Sequence, residues 1–540
     1  MSTRTVPRSS DRVRDDAPPN PPAGPPTAGP ATPAPAAPLT ETTQAHWMIP
    51  VIVLVIGNFM AVLDVTIVNV AVPAIQKDFG GSLEDVLWIA TAYTLMLGVV
   101  VPLSSWLGER FGLTWVYIMS LAGFAVGSAL CGLAGNLGTL IAFRVLQAIP
   151  GGVMPVVAMT LVYRIVPREN LGAAMGVFGL GIILGPATGP VLGGYFVQYV
   201  DWRLVFYVNV PIGLAGAVAA YFVLPRLRGT KGRHFDLPGF LCVGTGLFAI
   251  LLAASKGTDW GWGGYRVLML IVGGLLAIAL FVVIELEVDQ PLLDLRAFKS
   301  WTFAASLVML TILQANLFGL AFFVPTFLQE GQHKEAYDAG ILLLPAAIVT
   351  GICMPMVGRL YDRIGAAWLG GIGLVICGYG TYLLCAITPD MTRADVIIWM
   401  CVRGLGLGLS IMPIMTAGLA ALPVHQTNAG SALNNVARQS GGALGLAALS
   451  ALATHQQAQI GADSAALVES NGMTPESMTP QLFASVYGRY EYLSSQVLAH
   501  SYSDLFLLLA VLTAASGVLA VFLRTSRKGS DVAGASAGAH

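Results

Sequence analysis

Long apolar stretches dominate this sequence and limit what it can fold into. Fourteen can be counted, each roughly 20 residues long, which is the length that carries an α-helix across about 30 Å of hydrocarbon. The stretches are unbroken rather than alternating, which excludes a transmembrane barrel. Charged residues make up only 11% of the chain, against about 25% in soluble proteins. We therefore predict an all-α polytopic membrane protein. The fourteen segments lie near 48–73, 86–107, 114–134, 138–163, 171–197, 203–224, 237–255, 265–285, 301–327, 338–358, 367–387, 395–417, 433–453 and 503–523.

The lysines and arginines outside these segments are unevenly distributed. If the N-terminus is cytoplasmic, eighteen of them fall on the cytoplasmic side and seven on the outer side. Arg144, Arg403 and Arg438 remain inside apolar segments. Because basic loops are preferentially retained in the cytoplasm, the pattern predicts that both termini are cytoplasmic and that the number of spans is even.

Two sequence patterns occur twice, which indicates an internal repeat. The loop at 105–112 follows the second apolar segment and the loop at 358–365 follows the tenth, with arginines 253 residues apart. Arg144 and Arg403, each ahead of a Met-Pro pair, are 259 residues apart. Parallel repeats of this kind are found in membrane transporters. The predicted regions are a disordered cytoplasmic tail (1–46), an N-terminal six-helix half (47–225), two inserted helices with their connectors (226–299), a C-terminal six-helix half (300–525) and a cytoplasmic tail (526–540).

Residues 176–194 are apolar but rich in residues that weaken a helix. Glycines recur there every four residues and form a smooth face that a second helix can approach closely. Two Gly-Pro pairs each remove a backbone donor, so we expect a bent helix. The doubled Gly-Pro resembles the fifth-helix motif of antiporters in the major facilitator superfamily; an ordinary small-residue packing face is the alternative. The residues of this motif are Gly185, Pro186, Gly189, Pro190, Gly193 and Gly194.

Asp64 is an acidic residue inside the first apolar segment. A carboxylate at that depth costs several kcal/mol unless it is paired, hydrated or protonated. The surrounding residues 63–73 resemble the first-helix motif of the fourteen-helix drug–proton antiporters. The resemblance implies that Asp64 binds the coupling proton; a purely structural partner for an intramembrane arginine is the alternative.

Arg144 is the expected partner of Asp64. It lies in the stretch 143–148, which resembles the superfamily's fourth-helix motif, where an arginine is implicated in proton coupling. Ala148 stands where that motif usually has glycine. The alternative is an arginine that reaches from near a helix end towards the membrane surface.

The two repeated loops resemble the superfamily's cytoplasmic-loop motif, which acts there as a conformational latch. The copy at 358–365 matches every key position, with Gly358 expected to permit a tight turn, whereas the copy at 105–112 is degraded. A simple tight turn with a surface ion pair is the alternative. The predicted gating residues are Gly358, Asp362, Arg363 and Gly365 in one loop, and Glu109, Arg110 and Gly112 in the other.

Several polar residues within apolar segments are candidates for lining a central cavity, although they could instead join helices by hydrogen bonds. The sequence contains no Gly-Lys dipeptide, so no phosphate-binding loop is expected. Histidines lack metal spacing and the six cysteines are expected to be free. We therefore expect no catalytic residue, metal, cofactor, nucleotide or nucleic-acid partner. The cavity candidates are Gln147, Gln314, Asn316, Asn434 and Arg438.

These resemblances together point to the EmrB-type branch of the fourteen-helix antiporters. They imply a proton-coupled exporter of drugs or other amphipathic molecules in the plasma (inner) membrane, with small molecules, protons and the bilayer as partners. An adaptor protein is possible in such a system, but nothing in the sequence indicates one. A dedicated exporter of one metabolite and a non-transporting receptor or scaffold are the alternatives. The two inserted helices are expected to pack outside the core, with Glu285 hydrated near a helix end.

Overall fold

The computed structural model describes residues 47–80, 82–227, 229, 235–288, 291–332, 334, 336–423, 426–467 and 480–523. All regular structure in these residues is helical, which confirms the predicted all-α class. The predicted tails at 1–46 and 526–540 lie outside them. The helices are α1 (Met48–Phe79), α2 (Leu83–Val100), α3 (Leu103–Phe111), α4 (Leu113–Gly132), α5 (Leu137–Ile165), α6 (Leu171–Tyr199), α7 (Leu204–Tyr207), α8 (Asn209–Val223), α9 (Leu237–Trp260), α10 (Tyr265–Glu287), α11 (Trp301–Thr326), α12 (Ala336–Ile364), α13 (Ala366–Leu383), α14 (Arg393–Ala420), α15 (Thr427–Leu467) and α16 (Pro480–Ser516).

Eleven helical segments of the described chain are long and apolar enough to span a membrane, and the bent pair α2 and α3 raises the number to twelve. Helices close their own backbone hydrogen bonds, which is why a chain this apolar can satisfy its peptide groups in lipid. α6 and α15 are outside this count. The number of fourteen spans therefore stays a prediction.

The apolar segment predicted at 86–107 is not one straight helix. α2 and α3 meet at an angle of 57°. Pro102, at the junction, has no backbone N–H to continue the helical pattern. The carbonyl of Val101 accepts a hydrogen bond of 3.1 Å from the backbone N–H of Ser104, three residues later, where an α-helix would use the fourth. The proline explains the break, which the hydrophobic pattern alone does not reveal.

Helix continues well beyond the last two apolar segments. The sequence has no apolar segment between 453 and 503, yet α15 extends to Leu467 and α16 begins at Pro480. A hydrogen bond of 3.1 Å from Gln456 Nε2 to Asp504 Oδ2 joins the two helices. Hydrophobicity marks the part of a helix that suits lipid, whereas the ends of the helix depend on helix propensity.

The inserted pair α9 and α10 packs at the side of the bundle. α9 contacts α10, α2 and α15, whereas α10 contacts α9 and the short 3₁₀ segment Leu295–Lys299. Glu285 is not hydrated as expected, because it is only 4% exposed and accepts a hydrogen bond from the backbone N–H of Leu293. The chain after α10 folds back over this carboxylate, which the linear sequence does not indicate.

Candidate functional site

Asp64 and Arg144 form a buried ion pair between α1 and α5. Arg144 Nη1 lies 2.6 Å from Asp64 Oδ2, and the two side chains are 1% and 0% exposed. The guanidinium also donates to the backbone carbonyl of Ile89 at 3.5 Å through Nε. Arg144 therefore points into the bundle and does not reach towards the membrane surface.

Three neutral polar side chains complete the surroundings of the carboxylate. Gln147 Nε2 donates to Asp64 Oδ1 at 3.1 Å and to Ser128 Oγ at 2.6 Å. Asn209 Nδ2 donates to the same two atoms at 3.0 and 3.3 Å. Gln147 Oε1 accepts from Arg144 Nη1 at 2.7 Å. We call Asp64, Ser128, Arg144, Gln147 and Asn209 the Asp64 cluster.

Aromatic rings enclose the arginine of this cluster. The guanidinium carbon of Arg144 lies 3.8 Å from the centre of the Tyr93 ring and 5.6 Å from that of Phe206. A cation over an aromatic face is stabilised by roughly 0.5–2 kcal/mol, and more strongly where water is excluded. The rings therefore support a charged Arg144 independently of Asp64.

Asp64 is the one member of this cluster that can gain or lose a proton while Arg144 keeps its charge. The pair has no net charge while Asp64 is ionised, and its Coulomb attraction offsets the cost of removing two charges from water. A proton on Asp64 would leave the cluster with the single positive charge of Arg144. It would also turn the 2.6 Å contact of Arg144 Nη1 from an ion pair into a weaker hydrogen bond to a neutral carboxyl group. Protonation would thus weaken the contact between α1 and α5.

A second polar cluster joins α11, α13, α14 and α16. Arg403, which is 4% exposed, donates through Nε to Asn316 Oδ1 at 3.0 Å and through Nη2 to Asn316 O at 3.1 Å. Asn316 Nδ2 donates to Thr381 Oγ1 at 3.0 Å and to Thr513 Oγ1 at 3.2 Å. We call Asn316, Thr381, Arg403 and Thr513 the Asn316 cluster.

The two clusters correspond to each other through the sequence repeat. In both, an arginine reaches a polar side chain of α1 or α11. Thr381 accepts directly from Asn316, whereas Ser128 accepts from Gln147 and Asn209, the two amides that hold Asp64. The decisive difference is that the Asn316 cluster has a neutral amide where the other has a carboxylate. The corresponding residues are Asp64 and Asn316, 252 residues apart, Ser128 and Thr381, 253 apart, and Arg144 and Arg403, 259 apart.

The glycine face of α6 packs against α1 beside Asp64. A carbon placed at the Cβ position of Gly185 would lie 2.8 Å from Val62 Cγ1, and one at Gly189 would overlap Thr66 Oγ1. At Gly193 such a carbon would meet α1 at 3.1 Å. Thr66 Oγ1 also donates to the carbonyl of Gly185 at 3.3 Å. The close approach predicted from the spacing of these glycines is therefore present.

The other positions of this motif differ from the packed glycines. Among the described residues, nothing beyond the adjacent backbone of α6 lies within 4 Å of a carbon placed at Gly194, so close approach does not require this glycine. The backbone of α6 is helical through both Gly-Pro pairs. The side chains of Pro186 and Pro190 lie outside the described part of the structure, so the predicted bend stays a prediction.

The repeated loops lie at one end of the bundle, where α3, α5, α12 and α14 end and α1, α6 and α15 begin; we call it the basic end. Gly112 and Gly365 turn the chain with φ of 90° and 89°, a region that favours glycine. Gly358 does not form a turn, contrary to expectation. It lies inside α12, where an added Cβ would overlap the backbone carbonyl of Gly172 on α6.

The basic end is closed by contacts between α3–α6 and α12–α15. Tyr163 Oη donates to the carbonyl of Met415 at 3.5 Å. Asn428 Nδ2 donates to Glu109 Oε1 at 3.2 Å, which links a predicted gating residue to α15. The two predicted gating arginines, Arg110 and Arg363, are exposed, and the side chain of Asp362 lies outside the described residues.

The predicted cavity residues fall into different environments. Gln147 and Asn316 belong to the two clusters, and Gln314 is buried at 6% exposure. Asn434 is fully buried, and within the described chain neither its oxygen nor its nitrogen has a hydrogen-bond partner. Arg438, one turn later on α15, is partly exposed.

Sequence reasoning missed four members of the clusters, namely Ser128, Asn209, Thr381 and Thr513. A single hydroxyl or amide inside an apolar helix is common and carries little information by itself. A useful signal was available, because Ser128 and Thr381 lie at the same place in the sequence repeat. Comparing the polar residues of the two halves would have found that pair.

Comparisons with known proteins agree with this geometry. The family model described as Major Facilitator Superfamily matches residues 54–446. The chain is 30% identical to the multidrug export protein EmrB of Escherichia coli strain K12 over 76% of this chain and 81% of EmrB. It is 32% identical to the tetracenomycin C resistance and export protein of Streptomyces glaucescens over 74% of each chain.

A solved structure supports the fold separately. The human organic anion transporter MFSD10 (TETRAN) matches 87% of this chain and all of its own, with a TM-score of 0.58 at 12% identity. At that identity the likeness concerns the fold alone. The family resemblance inferred from the motifs is confirmed: the chain belongs to the Major Facilitator Superfamily and is a multi-pass membrane transporter related to EmrB, not an enzyme.

Proposed function

We propose that this protein exports drugs or other amphipathic small molecules from the cytoplasm in exchange for protons. The observation that carries the proposal is the Asp64–Arg144 pair, fully buried and built from α1 and α5. A structural pair of this kind stabilises a fold poorly compared with well-packed apolar side chains. A transporter, by contrast, needs one acid whose charge changes during the cycle.

The coupling follows from the helices that the cluster joins. Proton binding releases Arg144 from Asp64, and α1 can then move relative to α5. α6 follows α1, because its glycines contact Val62 and Thr66 on either side of Asp64. Proton and substrate need only bias the same two-state equilibrium in opposite directions. The driving force is about 2.3 kcal/mol per charge at 100 mV and about 1.4 kcal/mol per pH unit.

The closed basic end indicates which conformation of the proposed transport cycle this structure represents. We assign this end to the cytoplasm, as the distribution of basic residues suggests, so the conformation is closed on the inside. α6 and α15 then provide the two spans beyond the twelve already counted, giving fourteen with both termini cytoplasmic. Two six-helix halves would rock about the seam between α6 and α12, and the inserted α9 would bridge them through α2 and α15.

Dedicated export of one compound in the same membrane is the second candidate. The tetracenomycin C resistance and export protein, named for one antibiotic, is as similar to this chain as the multidrug protein EmrB is. Both candidates use the same proposed coupling site. They differ only in how many compounds the protein accepts.

A susceptibility panel tests the proposal directly. Bacteria that lack their main efflux pumps would be grown with and without this protein in their plasma membrane. The growth media would contain amphipathic antibiotics and dyes, one compound at a time. We expect raised resistance that an uncoupler of the proton gradient abolishes. Resistance to several unrelated compounds identifies a multidrug exporter, and resistance to one identifies a dedicated exporter. Unchanged susceptibility in cells with well-inserted protein would refute the proposed export.

Asn316→Asp tests whether the Asn316 cluster can hold a titrating carboxyl group as the Asp64 cluster is proposed to do. The hydroxyls of Thr381 and Thr513 accept from the amide. Thr513 can turn to donate to a carboxylate, Thr381 can do so by leaving the carbonyl of Cys377, and Arg403 supplies the opposite charge, so the variant should fold. Infrared spectroscopy of the purified protein would follow the carboxyl C=O band as pH changes. The buried-carboxyl band lost in Asp64→Asn should return in the double variant Asp64→Asn/Asn316→Asp. The buried carboxyl group of Glu285 contributes the same infrared signal to every variant, so it cancels in the comparison. A folded double variant without that band would show that the clusters differ in more than one atom.

A further inference from the structure

The burial of α15 changes abruptly along its length. All eight residues from 427 to 434 are buried, so this part of the helix is surrounded on every side. All six residues from 435 to 440 are partly exposed, and six consecutive residues cover every direction around a helix. Space next to α15 therefore begins at residue 435, directly beyond the closed basic end.

Arg438 lies at the start of this space. It is eleven residues from the first residue of α15, roughly 16 Å along the helix axis and so near the middle of a bilayer of about 30 Å. Within the described chain it makes no ion pair or hydrogen bond, and no acidic group acts on its charge. A charge at that depth costs several kcal/mol unless water or a partner compensates it.

The other two intramembrane arginines are already occupied. Arg144 is neutralised by Asp64, and Arg403 is held by the side chain and backbone of Asn316. Arg438 is therefore the one of the three whose charge remains available to a molecule in the adjoining space.

Asn434 gives a second, independent indication of a ligand. It lies one helical turn before Arg438 and is fully buried with both amide atoms unpartnered in the described chain. A buried polar group without a partner costs roughly 1–3 kcal/mol. Asn434 and Arg438 are four residues apart and so lie on the same side of α15, where an NH₂ group and a guanidinium can donate to one set of acceptor oxygens.

We propose that Arg438 and Asn434 bind an anionic group of the transported molecule, so that the substrates include amphipathic carboxylates, sulfonates or phenolates. The inference rests on the proposed export function, since it names the substrate class of that same pathway. A guanidinium suits such groups because its parallel N–H donors match two oxygens, in hydrogen bonds roughly twice as strong as neutral ones. The same charge disfavours lipophilic cations.

Two dyes with one scaffold test this proposal. Fluorescein is an anionic xanthene and rhodamine 123 a cationic one, and binding of each to the purified full-length protein can be followed by fluorescence anisotropy. We expect fluorescein to bind more tightly than rhodamine 123. Arg438→Gln should weaken fluorescein binding about tenfold or more, which corresponds to about 1.4 kcal/mol, without weakening rhodamine binding. Arg438→Lys should retain part of the affinity for fluorescein.

Arg203→Gln is the matched control, because it removes an arginine that pairs with Asp78 at the opposite end of the bundle. It should leave both dyes unaffected. In the wild-type protein, fluorescein affinity should also fall as salt is added, a measurement that needs no variant. Equal fluorescein binding by wild type and Arg438→Gln, tighter binding of rhodamine, or no fluorescein binding would overturn the proposal. Binding at equilibrium requires no gradient, so a failure of proton-coupled export would be seen separately.

Discussion

Asp64→Asn is expected to abolish proton-driven export while the protein remains folded and inserted. The asparagine amide keeps the shape of the carboxylate but cannot take up a proton at the pH values at which proteins are folded. It also has one acceptor oxygen instead of two. With that oxygen facing Gln147 and Asn209, Arg144 keeps Gln147 Oε1 but loses its counter-ion, which costs about 3–5 kcal/mol in a buried pair. The aromatic rings over Arg144 offset part of that cost. The Asn316 cluster shows that this chain already accommodates an arginine opposite an asparagine.

Export by Asp64→Asn would be measured in proteoliposomes with an imposed pH gradient, using a compound that the susceptibility panel identifies. Asp78→Asn is the matched control, because Asp78 is on the same helix but its side chain is 45% exposed, in a surface pair with Arg203. Surface pairs contribute about 0–1 kcal/mol, so the control should export normally. Undiminished export by Asp64→Asn would exclude Asp64 as the coupling residue.

Gly189→Ala should impair transport strongly, whereas Gly194→Ala on the same helix should not. The added methyl at 189 overlaps Thr66, two residues from Asp64, and so pushes α1 away at the level of the coupling site. Overpacking of this kind costs about 1–3 kcal/mol. Both substitutions gain up to about 1 kcal/mol of helix propensity, so the difference between them isolates the contact.

The comparison requires export rates and thermal unfolding of the two variants in the same membrane preparation. Gly189→Leu should be inactive, and Val191→Leu, at a residue that is 52% exposed, should behave like the wild type. If Gly189→Ala and Gly194→Ala export equally well, close packing of α6 on α1 does not limit the transport cycle.

Charges within the membrane were the most predictable part of the site. Asp64 and Arg144 are 80 residues apart, yet each is costly in lipid alone, so their pairing could be anticipated from composition and depth. The α6 contact was also predictable, because a four-residue glycine spacing has a direct geometric meaning on a helix. Both inferences rest on the cost of a charge in lipid or on the periodicity of a single helix, and neither depends on how the rest of the chain folds.

Features that depend on how helices cross were not predictable in this way. Asn209 reaches Asp64 only because α8 passes beside α1, and Ser128 reaches Asn209 because α4 packs against α8. The sequence predicts a turn at Gly358, whereas this glycine lies inside α12 and packs against Gly172 of α6, more than 150 residues earlier in the chain. Glu285 is buried because the following segment folds back over it. In each case the partner is distant in sequence and has no pattern of its own.

Proton release on substrate binding tests the central claim most directly. The purified protein would be mixed, in weakly buffered solution without any gradient, with a compound that the panel shows to be exported. The account predicts that the wild-type protein releases protons as the compound binds, and that Asp64→Asn binds the compound but releases none. Equal proton release from both proteins, or binding to the wild type with no proton displaced, would contradict a proton-exchange role for the Asp64 cluster.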